Sequence, residues 1–186
     1  MTRLTVHTPA SAPEGSRAFI DTVITNNGFL PNLIGVLANA PVALETYLSV
    51  SGINARASLS LAEREVVQIT AASVHGCDFC VAGHTAIALK KAGLERDLVR
   101  ALQERASTGN ARFDALVAFT RAVILSRGKV GTGELADFLA AGFEEQQVLE
   151  VLLGVSLATL CNFANNLAGS AINPELQPFA PGALES

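Results

Sequence analysis

The residues of this sequence best suited to chemistry are two cysteines and a histidine close together in the chain. The sequence places Cys77 and Cys80 three positions apart, and His84 follows four positions later. On a helix, residues three or four positions apart share a face, so these three side chains are expected to form one stripe. Two thiols at this spacing can close a disulfide with little backbone movement. The spacing therefore predicts a thiol–disulfide couple beside an imidazole.

A carboxylate one helix earlier completes a possible proton relay. The reactive form of cysteine is the thiolate, and an ordinary thiol has a pKa of about 8.5, so a base or a helix N-terminus is needed near neutral pH. Glu65 is embedded among apolar residues, and a buried carboxylate needs a partner. His84 is the natural partner. A relay from Glu65 through His84 to Cys80 is the arrangement of an activated nucleophile.

The same residues have other interpretations. The two cysteines could simply be buried core residues, because free cysteine is among the most buried residue types. Cys77, Cys80 and His84 are also plausible zinc ligands, although their spacing suits a tetrahedral site poorly and no fourth ligand is evident. We therefore predict no metal site and no organic cofactor. His75 could be a second proton carrier or a solvated loop residue, and Cys161 is expected to lie in the core.

Helical periodicity dominates the chain, and no alternating strand pattern appears, which predicts an all-α fold. Ser60 and Glu63 form a capping-box pattern that opens the helix carrying Glu65. A break at His75-Gly76 separates this helix from the one carrying the thiols. Residues 52–59 are expected to be a loop, and the Pro-rich tail after residue 169 is expected to be extended and to pack on a neighbouring subunit. Helices are predicted over residues 16–25, 32–38, 42–50, 61–74, 77–93, 94–103, 113–126, 133–141 and 144–167.

Composition limits the possible partners of the chain. Its 186 residues are expected to form a single domain over residues 1–186, with a core motif at residues 60–94. Apolar residues make up 49% and charged residues 16%, whereas about 25% charged residues is typical of soluble domains. The shortage of polar surface predicts a homo-oligomer.

Charge and hydropathy also argue against nucleic-acid binding, secretion and a membrane span. The formal net charge of −4 and the absence of a basic run longer than two residues argue against nucleic acid. The N-terminal residues lack the apolar core of a secretory signal. The most apolar stretch, residues 148–168, is interrupted by polar residues, so a buried helix is expected there rather than a membrane span. Three scattered cysteines without a disulfide framework favour a reducing, cytoplasmic location.

These motifs resemble the carboxymuconolactone decarboxylase superfamily, and the thiol pair is similar to that of its alkyl hydroperoxidase D-like (AhpD-like) branch. The resemblance extends from Ala40 to Leu94, about a third of the chain, and rests on the spacing of Glu65, the two cysteines and His84. This combination is much more specific than a Cys-x-x-Cys motif alone.

The resemblance implies an AhpD-like all-helical fold, homo-oligomers (trimers or hexamers), and reduction of hydroperoxides by a dithiol that an external protein or lipoyl dithiol regenerates. It further implies that Cys80 is the peroxidatic cysteine, that Cys77 resolves the sulfenic acid, and that Glu65 with His84 relays protons. One departure is Phe79, because the best-known member has a histidine between its cysteines; His75 is a candidate to replace it. A redox sensor or interaction protein without turnover is the alternative. Lactone decarboxylation is not favoured, since the decarboxylases proper lack the thiol pair.

Overall fold

The computed structural model describes residues 2–184, and the regular structure within them is entirely helical. This confirms the predicted all-α class. The α-helices, followed by one 3₁₀ helix, are α1 (Glu14–Asn27), α2 (Asn32–Leu37), α3 (Pro41–Asn54), α4 (Leu61–His75), α5 (Asp78–Lys90), α6 (Arg96–Glu104), α7 (Ala111–Ser126), α8 (Thr132–Ala140), α9 (Glu145–Ala168) and the 3₁₀ helix Pro174–Phe179.

Helix α4 lies at the centre of the fold and packs against α5, α6, α7 and α9. Most of its side chains are buried on every side, as expected of a helix surrounded by others. Its start is fixed by the predicted capping box: the Glu63 backbone N–H donates to Ser60 Oγ at 3.2 Å, and the Glu63 carboxylate accepts from the Ser60 backbone N–H at 2.8 Å. Arg112 Nε of α7 donates to the same carboxylate at 2.8 Å and ties the two helices together.

The buried apolar side chains form two clusters. One lies among α4, α7, α8 and α9 and includes a stack of Phe119, Phe138 and Phe143, with ring centroids 4.2 and 4.3 Å apart. The other lies mainly between α1, α2, α3 and the first turns of α5, and it contains all three cysteines. The thiols are therefore embedded in apolar packing on one side of α4.

Helix α3 is longer than the sequence predicts. Residues 52–54 were expected to belong to a loop, but α3 continues to Asn54, whose side chain is buried. A glycine inside a helix costs only about 1 kcal/mol relative to alanine, which packing at the following residue can offset. The loop proper is short. It is held by Glu150 of α9, whose carboxylate accepts from the backbone N–H groups of Ser58 and Leu59 at 2.8 and 3.0 Å.

The prediction that the tail is extended is wrong over Pro174–Phe179, and its packing on a neighbouring subunit stays a prediction. The tail forms the 3₁₀ helix and packs on α5 of its own chain. The Lys90 ammonium lies 4.5 Å from the centre of the Phe179 ring, and Gln103 Nε2 donates to the Phe179 carbonyl at 3.1 Å. Leu184 is 2% exposed and joins the α4–α9 cluster. The apolar residues between the prolines thus find their buried surface within the chain.

Helix α9 is long and apolar enough to span a bilayer by length and composition alone. It packs against α2, α3, α4 and α7. Its buried face carries two asparagines, Asn162 and Asn165, which are 1% and 5% exposed. Both make hydrogen bonds to the residues that join α4 to α5, so the polar interruptions noted in the sequence face the interior of the fold.

Candidate active site

A tight turn between α4 and α5 creates the site. Gly76 ends α4 in the left-handed conformation, with φ of 66°, which glycine adopts without a steric cost. The next residue, Cys77, is the N-cap of α5 and donates its backbone N–H to the Ala72 carbonyl at 2.9 Å. The chain therefore reverses within two residues, and α5 packs along α4. This brings Glu65 of α4 beside His84 of α5.

The two thiols of the Cys-x-x-Cys motif are in contact. Cys77 Sγ and Cys80 Sγ lie 2.8 Å apart, within hydrogen-bonding distance, and the Cys80 backbone N–H donates to Cys77 Sγ at 3.4 Å. A further donor, Asn165 Nδ2 of α9, lies 3.7 Å from Cys77 Sγ. Cys77 is 1% and Cys80 4% exposed. Cys77 Sγ thus contacts one thiol and two N–H donors in a setting from which water is largely excluded.

These contacts shift the pKa values of the two thiols in opposite directions. The hydrogen bond between the two thiols is the main factor that lowers the pKa of Cys77; burial opposes it, while the Cys80 N–H and the Asn165 amide add to it. The same thiol–thiol hydrogen bond raises the pKa of Cys80, and burial and the charge on Cys77 raise it further. When the pair loses one proton, the negative charge therefore rests on Cys77 at the start of the helix.

Glu65 and His84 form the second contact of the site. Glu65 Oε2 lies 2.8 Å from His84 Nδ1, and the two side chains are 7% and 28% exposed. A carboxylate accepts hydrogen bonds, so Nδ1 carries the proton and the lone pair of a neutral imidazole is on Nε2. Glu65 thereby orients the ring. The buried carboxylate has the partner that the sequence suggested.

The structure brings these residues together as two contacting pairs. Within residues 2–184, no direct hydrogen bond joins His84 to either thiol. Transfer of a proton from Cys80 to His84 requires a rotation of the imidazole, or a water or substrate hydroxyl between them. Hydrogen bonds of a catalytic relay are often long in the absence of substrate and shorten when it binds.

The middle of the chain matches a known family. Residues 41–122 match the model of the carboxymuconolactone decarboxylase family. This match confirms the resemblance that the motif indicated. The matched range contains both thiols, Glu65 and His84, as well as the turn that joins α4 to α5. No match was found among proteins of curated function.

Several solved structures share the fold of this chain over nearly its whole length. The AhpD core protein of Ralstonia eutropha JMP134, described as peroxidase-related, is 20% identical over 96% of this chain and 95% of its own, with a TM-score of 0.85. A peroxidase-related protein of Silicibacter sp. TM1040 is 17% identical over 100% of both chains, with a TM-score of 0.79. The debrominase Bmp8 is 20% identical over 100% and 99%, with a TM-score of 0.80. At these identities the likeness shows the AhpD-like fold.

His75 is not the solvated loop residue considered from the sequence. It is the last residue of α4, and Asn162 Nδ2 donates to its Nδ1 at 3.1 Å. Its ring meets the edge of Phe163 at a centroid distance of 4.9 Å, and burial lowers its pKa. Among the described residues, no hydrogen bond joins it to either sulfur of the pair. His75 therefore helps to anchor the end of α4 in the family fold.

Three further side chains belong to the surroundings of the thiols. Burial raises the pKa of Cys161 to about 12, with a smaller contribution from the charge on Cys77. Burial also raises the pKa of Tyr47, and the nearby Cys161, Cys80 and Glu65 add to this effect, which places the phenol close to the site. Neither Tyr47 nor Asn165 belongs to a sequence motif, so sequence reasoning missed both. Their roles arise from packing of α3 and α9 on the α4–α5 turn.

The arrangement does not offer the zinc-ligand grouping considered above. Within residues 2–184, no three side chains of His, Cys, Asp or Glu converge on one point in the manner of a metal site. His84 turns Nδ1 to Glu65, and the two sulfurs face each other. The contacts are those of a dithiol and a separate acid–base pair.

The unequal acidity of the thiols predicts a distinctive pH titration. Because the pKa of Cys77 is lowered, one thiolate should be present below the ordinary cysteine pKa of about 8.5, while the other two thiols should stay protonated to about pH 10. Absorbance of the reduced protein at 240 nm measures this directly. Cys77→Ser should remove the early step, and Cys161→Ser should leave it unchanged. A first step at pH 8.5 or above, or one that persists in Cys77→Ser, would contradict the assignment.

Proposed function

We propose that this protein is a thiol-dependent peroxidase that reduces hydroperoxides through a Cys77–Cys80 dithiol–disulfide cycle. The observation that carries the proposal is the 2.8 Å contact between the two buried sulfurs, next to the Glu65–His84 pair. Two thiols in contact provide two electrons, which is the number needed to break a peroxide O–O bond. The shared fold with two peroxidase-related proteins supports the same chemistry.

In the first half of the reaction, Cys80 attacks the peroxide. As the Cys80 sulfur attacks the terminal oxygen of the hydroperoxide, its thiol proton passes to Nε2 of His84, so the pair does not carry two negative charges at once. The O–O bond breaks, the sulfur is oxidised by two electrons to a sulfenic acid, and the departing alkoxide takes the proton from His84 to leave as an alcohol. Glu65 holds the imidazole in the tautomer that accepts this proton and stabilises the imidazolium that forms.

In the second half, Cys77 resolves the sulfenic acid. Its thiolate attacks the sulfur of Cys80, an S–S bond forms, and the S–O bond breaks; the departing hydroxide takes a proton and leaves as water. The lowered pKa of Cys77 suits this step, because the thiolate is the attacking form. The sulfurs need to approach from 2.8 Å to a disulfide length of about 2.05 Å. An external protein or lipoyl dithiol then returns two electrons and two protons.

Two physical effects favour different sulfurs as the first nucleophile. The helix start and its hydrogen bonds favour charge on Cys77, and a dipole contribution of this kind is about 0.3–1 kcal/mol. A positioned base favours Cys80 and contributes about 100- to 10,000-fold in rate, or about 3–5 kcal/mol. The larger effect assigns the attack to Cys80. The resting charge on Cys77 then serves the resolving step.

Reductive dehalogenation is a second candidate. The debrominase Bmp8 shares the fold, and one of its structures contains 2,3,4-tribromopyrrole. In this chain the thiols lie beside aromatic side chains, Phe79 and Tyr47, which offer apolar contact to a ring. The same two thiols could supply the two electrons that replace a C–Br bond by C–H, with release of bromide and formation of the disulfide. The peroxidase remains our first proposal because the Glu65–His84 pair provides the proton that a departing alkoxide needs.

We also propose that the working form is a cytoplasmic homo-oligomer, as the family resemblance implies. One stripe of α9 exposes Leu149, Leu152, Phe163 and Leu167, whose exposed fractions are 67%, 49%, 55% and 60%. These positions are three to four residues apart, or multiples of that spacing, so they lie on one face of the helix, with Ser156 between Leu152 and Phe163. A second copy that covers this face would remove it from water. A reducing compartment would keep the dithiol in its active form.

Catalytic turnover tests the proposed function. Reduced protein with excess dithiothreitol should consume many equivalents of cumene hydroperoxide or hydrogen peroxide, measured as loss of peroxide over time. Cys80→Ser should abolish the activity. Cys161→Ser, which removes a buried cysteine outside the pair, should retain it. Peroxide loss no faster than the uncatalysed reaction with dithiothreitol, from protein whose cysteines are reduced, would contradict the proposal and indicate a sensor. Bromide release from a brominated pyrrole without peroxide turnover would favour the dehalogenase.

The Glu65–His84 contact generates a prediction about mechanism. Glu65→Gln keeps the shape of the side chain but removes the charge that draws the proton of Cys80 toward His84. Peroxide reduction near neutral pH should fall at least about tenfold, or about 1.4 kcal/mol. Raising the pH should recover part of the rate, because hydroxide then supplies thiolate. Folding should survive, since a buried amide costs less than a buried unpaired carboxylate.

The matched control for this substitution is Glu45→Gln, which changes an exposed carboxylate of α3 and should leave the rate unchanged. Rates at several pH values and a thermal melt of each variant complete the comparison. A Glu65→Gln protein with wild-type turnover and an unchanged pH profile would show that the carboxylate is structural.

A further inference from the structure

Three asparagines of α9, the buried Asn162 and Asn165 and the exposed Asn166, are directed at the junction of α4 and α5. Asn162 Nδ2 donates to His75 Nδ1 at 3.1 Å, and Asn166 Nδ2 donates to the His75 carbonyl at 2.8 Å. Asn165 lies between them and directs its Nδ2 at Cys77 Sγ, 3.7 Å away. Two of the amides thus hold the end of α4. The third contacts a reacting sulfur.

The orientation of the Asn165 amide is fixed from its other end. Its Oδ1 accepts a hydrogen bond from the hydroxyl of Ser170, which leaves the NH₂ group to face the sulfur. Ser170 reaches this position because Gly169 ends α9 in the left-handed conformation, with φ of 64°, and turns the chain back. A thiolate can only accept hydrogen bonds, so an amide held in this orientation matches the anionic form of Cys77. The Asn165 side chain is buried, which limits competition from water.

We propose that Asn165, held by Ser170, is a further residue of the site that stabilises the anionic form of the reduced pair and thereby sets its reduction potential. The inference deepens the proposed function and rests on the same Cys77–Cys80 couple. A hydrogen bond to a charged acceptor is roughly twice as strong as one to a neutral acceptor. When the reduced pair ionises, the charge lies on the sulfur of Cys77, whereas both sulfurs of the disulfide are neutral. The amide therefore favours the reduced form and makes the couple a stronger oxidant.

A test must separate this role from ordinary packing. Asn165→Ala removes the donor, and Asn165→Asp keeps the shape but presents a carboxylate oxygen to the sulfur. Ser170→Ala leaves the amide in place and removes only the group that orients it. Asn162→Ala is the matched control, because it deletes an equally buried amide of the same helix face that contacts His75 instead of a sulfur.

Two measurements that use no peroxide report the effect. The first is the pKa of Cys77, from absorbance at 240 nm in a Cys80→Ser background. The second is the reduction potential of the pair with both cysteines present, from equilibration in glutathione or dithiothreitol redox buffers. Asn165→Ala should raise the pKa of Cys77 by about one unit, a tenfold loss of thiolate, and lower the potential by about 30 mV, which is a tenfold change for a two-electron couple. Asn165→Asp should shift both the pKa and the potential further in the same directions. Ser170→Ala should shift both by a smaller amount, and Asn162→Ala should change neither.

An unchanged pKa and potential in Asn165→Ala or Asn165→Asp would overturn the inference. Equal shifts in Asn162→Ala would overturn it as well, because they would show that general packing is responsible. If Asn165→Ala fails to fold, Asn165→Asp and Ser170→Ala preserve the packing and still decide the question. A protein that shows the expected shifts but no peroxide turnover would contradict the proposed function and leave this inference standing.

Discussion

Two sulfurs in contact in an apolar cluster can hold only one negative charge between them, and the rest of the site depends on this constraint. A second negative charge at 2.8 Å would face strong repulsion in a medium that screens poorly. The pair can therefore contain one thiolate but not two. The start of α5 and the Asn165 amide determine that the charge rests on Cys77, so a separate base is needed if Cys80 is to attack. The Glu65–His84 pair is placed to supply it.

The fold provides a rigid frame for these contacts. Helix α4 is surrounded by other helices, and its first turn is fixed by the Ser60–Glu63 capping box and by Arg112 of α7. Burial alone would raise the pKa of Glu63, but the hydrogen bonds from Ser60 and Arg112 lower it, so this carboxylate stays charged at neutral pH. Glu65 lies in the same helix, so the hydrogen bonds of Glu63 also help to fix its position. A site built on well-anchored helices holds its geometry better than one built on loops.

The local features of the site could be read from the sequence. The Ser60–Glu63 cap, the break at His75-Gly76 and the start of α5 at Cys77 each depend on residues a few positions apart, and the structure has all three. The need for a partner for Glu65 was also evident, because an isolated buried carboxylate is costly. The family itself follows from the same short motif, and residues 41–122 confirm it. The catalytic roles of Glu65, Cys77, Cys80 and His84 remain predictions.

The features that sequence reasoning missed depend on contacts between distant parts of the chain. Asn165 lies 88 positions from Cys77, and no local pattern indicates that the two meet. The tail packs on α5 because its apolar residues match a surface that exists only in the folded chain. His75 looked like a loop residue because the glycine after it suggested a break, whereas the helix includes it and α9 covers it.

If Cys77 and Cys80 act as one two-electron couple, a single turnover should join them in a disulfide, which mass spectrometry detects. Reduced protein should be treated with one equivalent of hydroperoxide, quenched with an alkylating reagent, and cleaved after Arg64 and Lys90, which separates residues 65–90 from the segment carrying Cys161. The 65–90 peptide should lose two hydrogens and take up no alkyl group, while Cys161 should be fully alkylated. A dominant disulfide that includes Cys161, or a stable sulfinic acid on one cysteine with the other still alkylated, would contradict a Cys77–Cys80 couple.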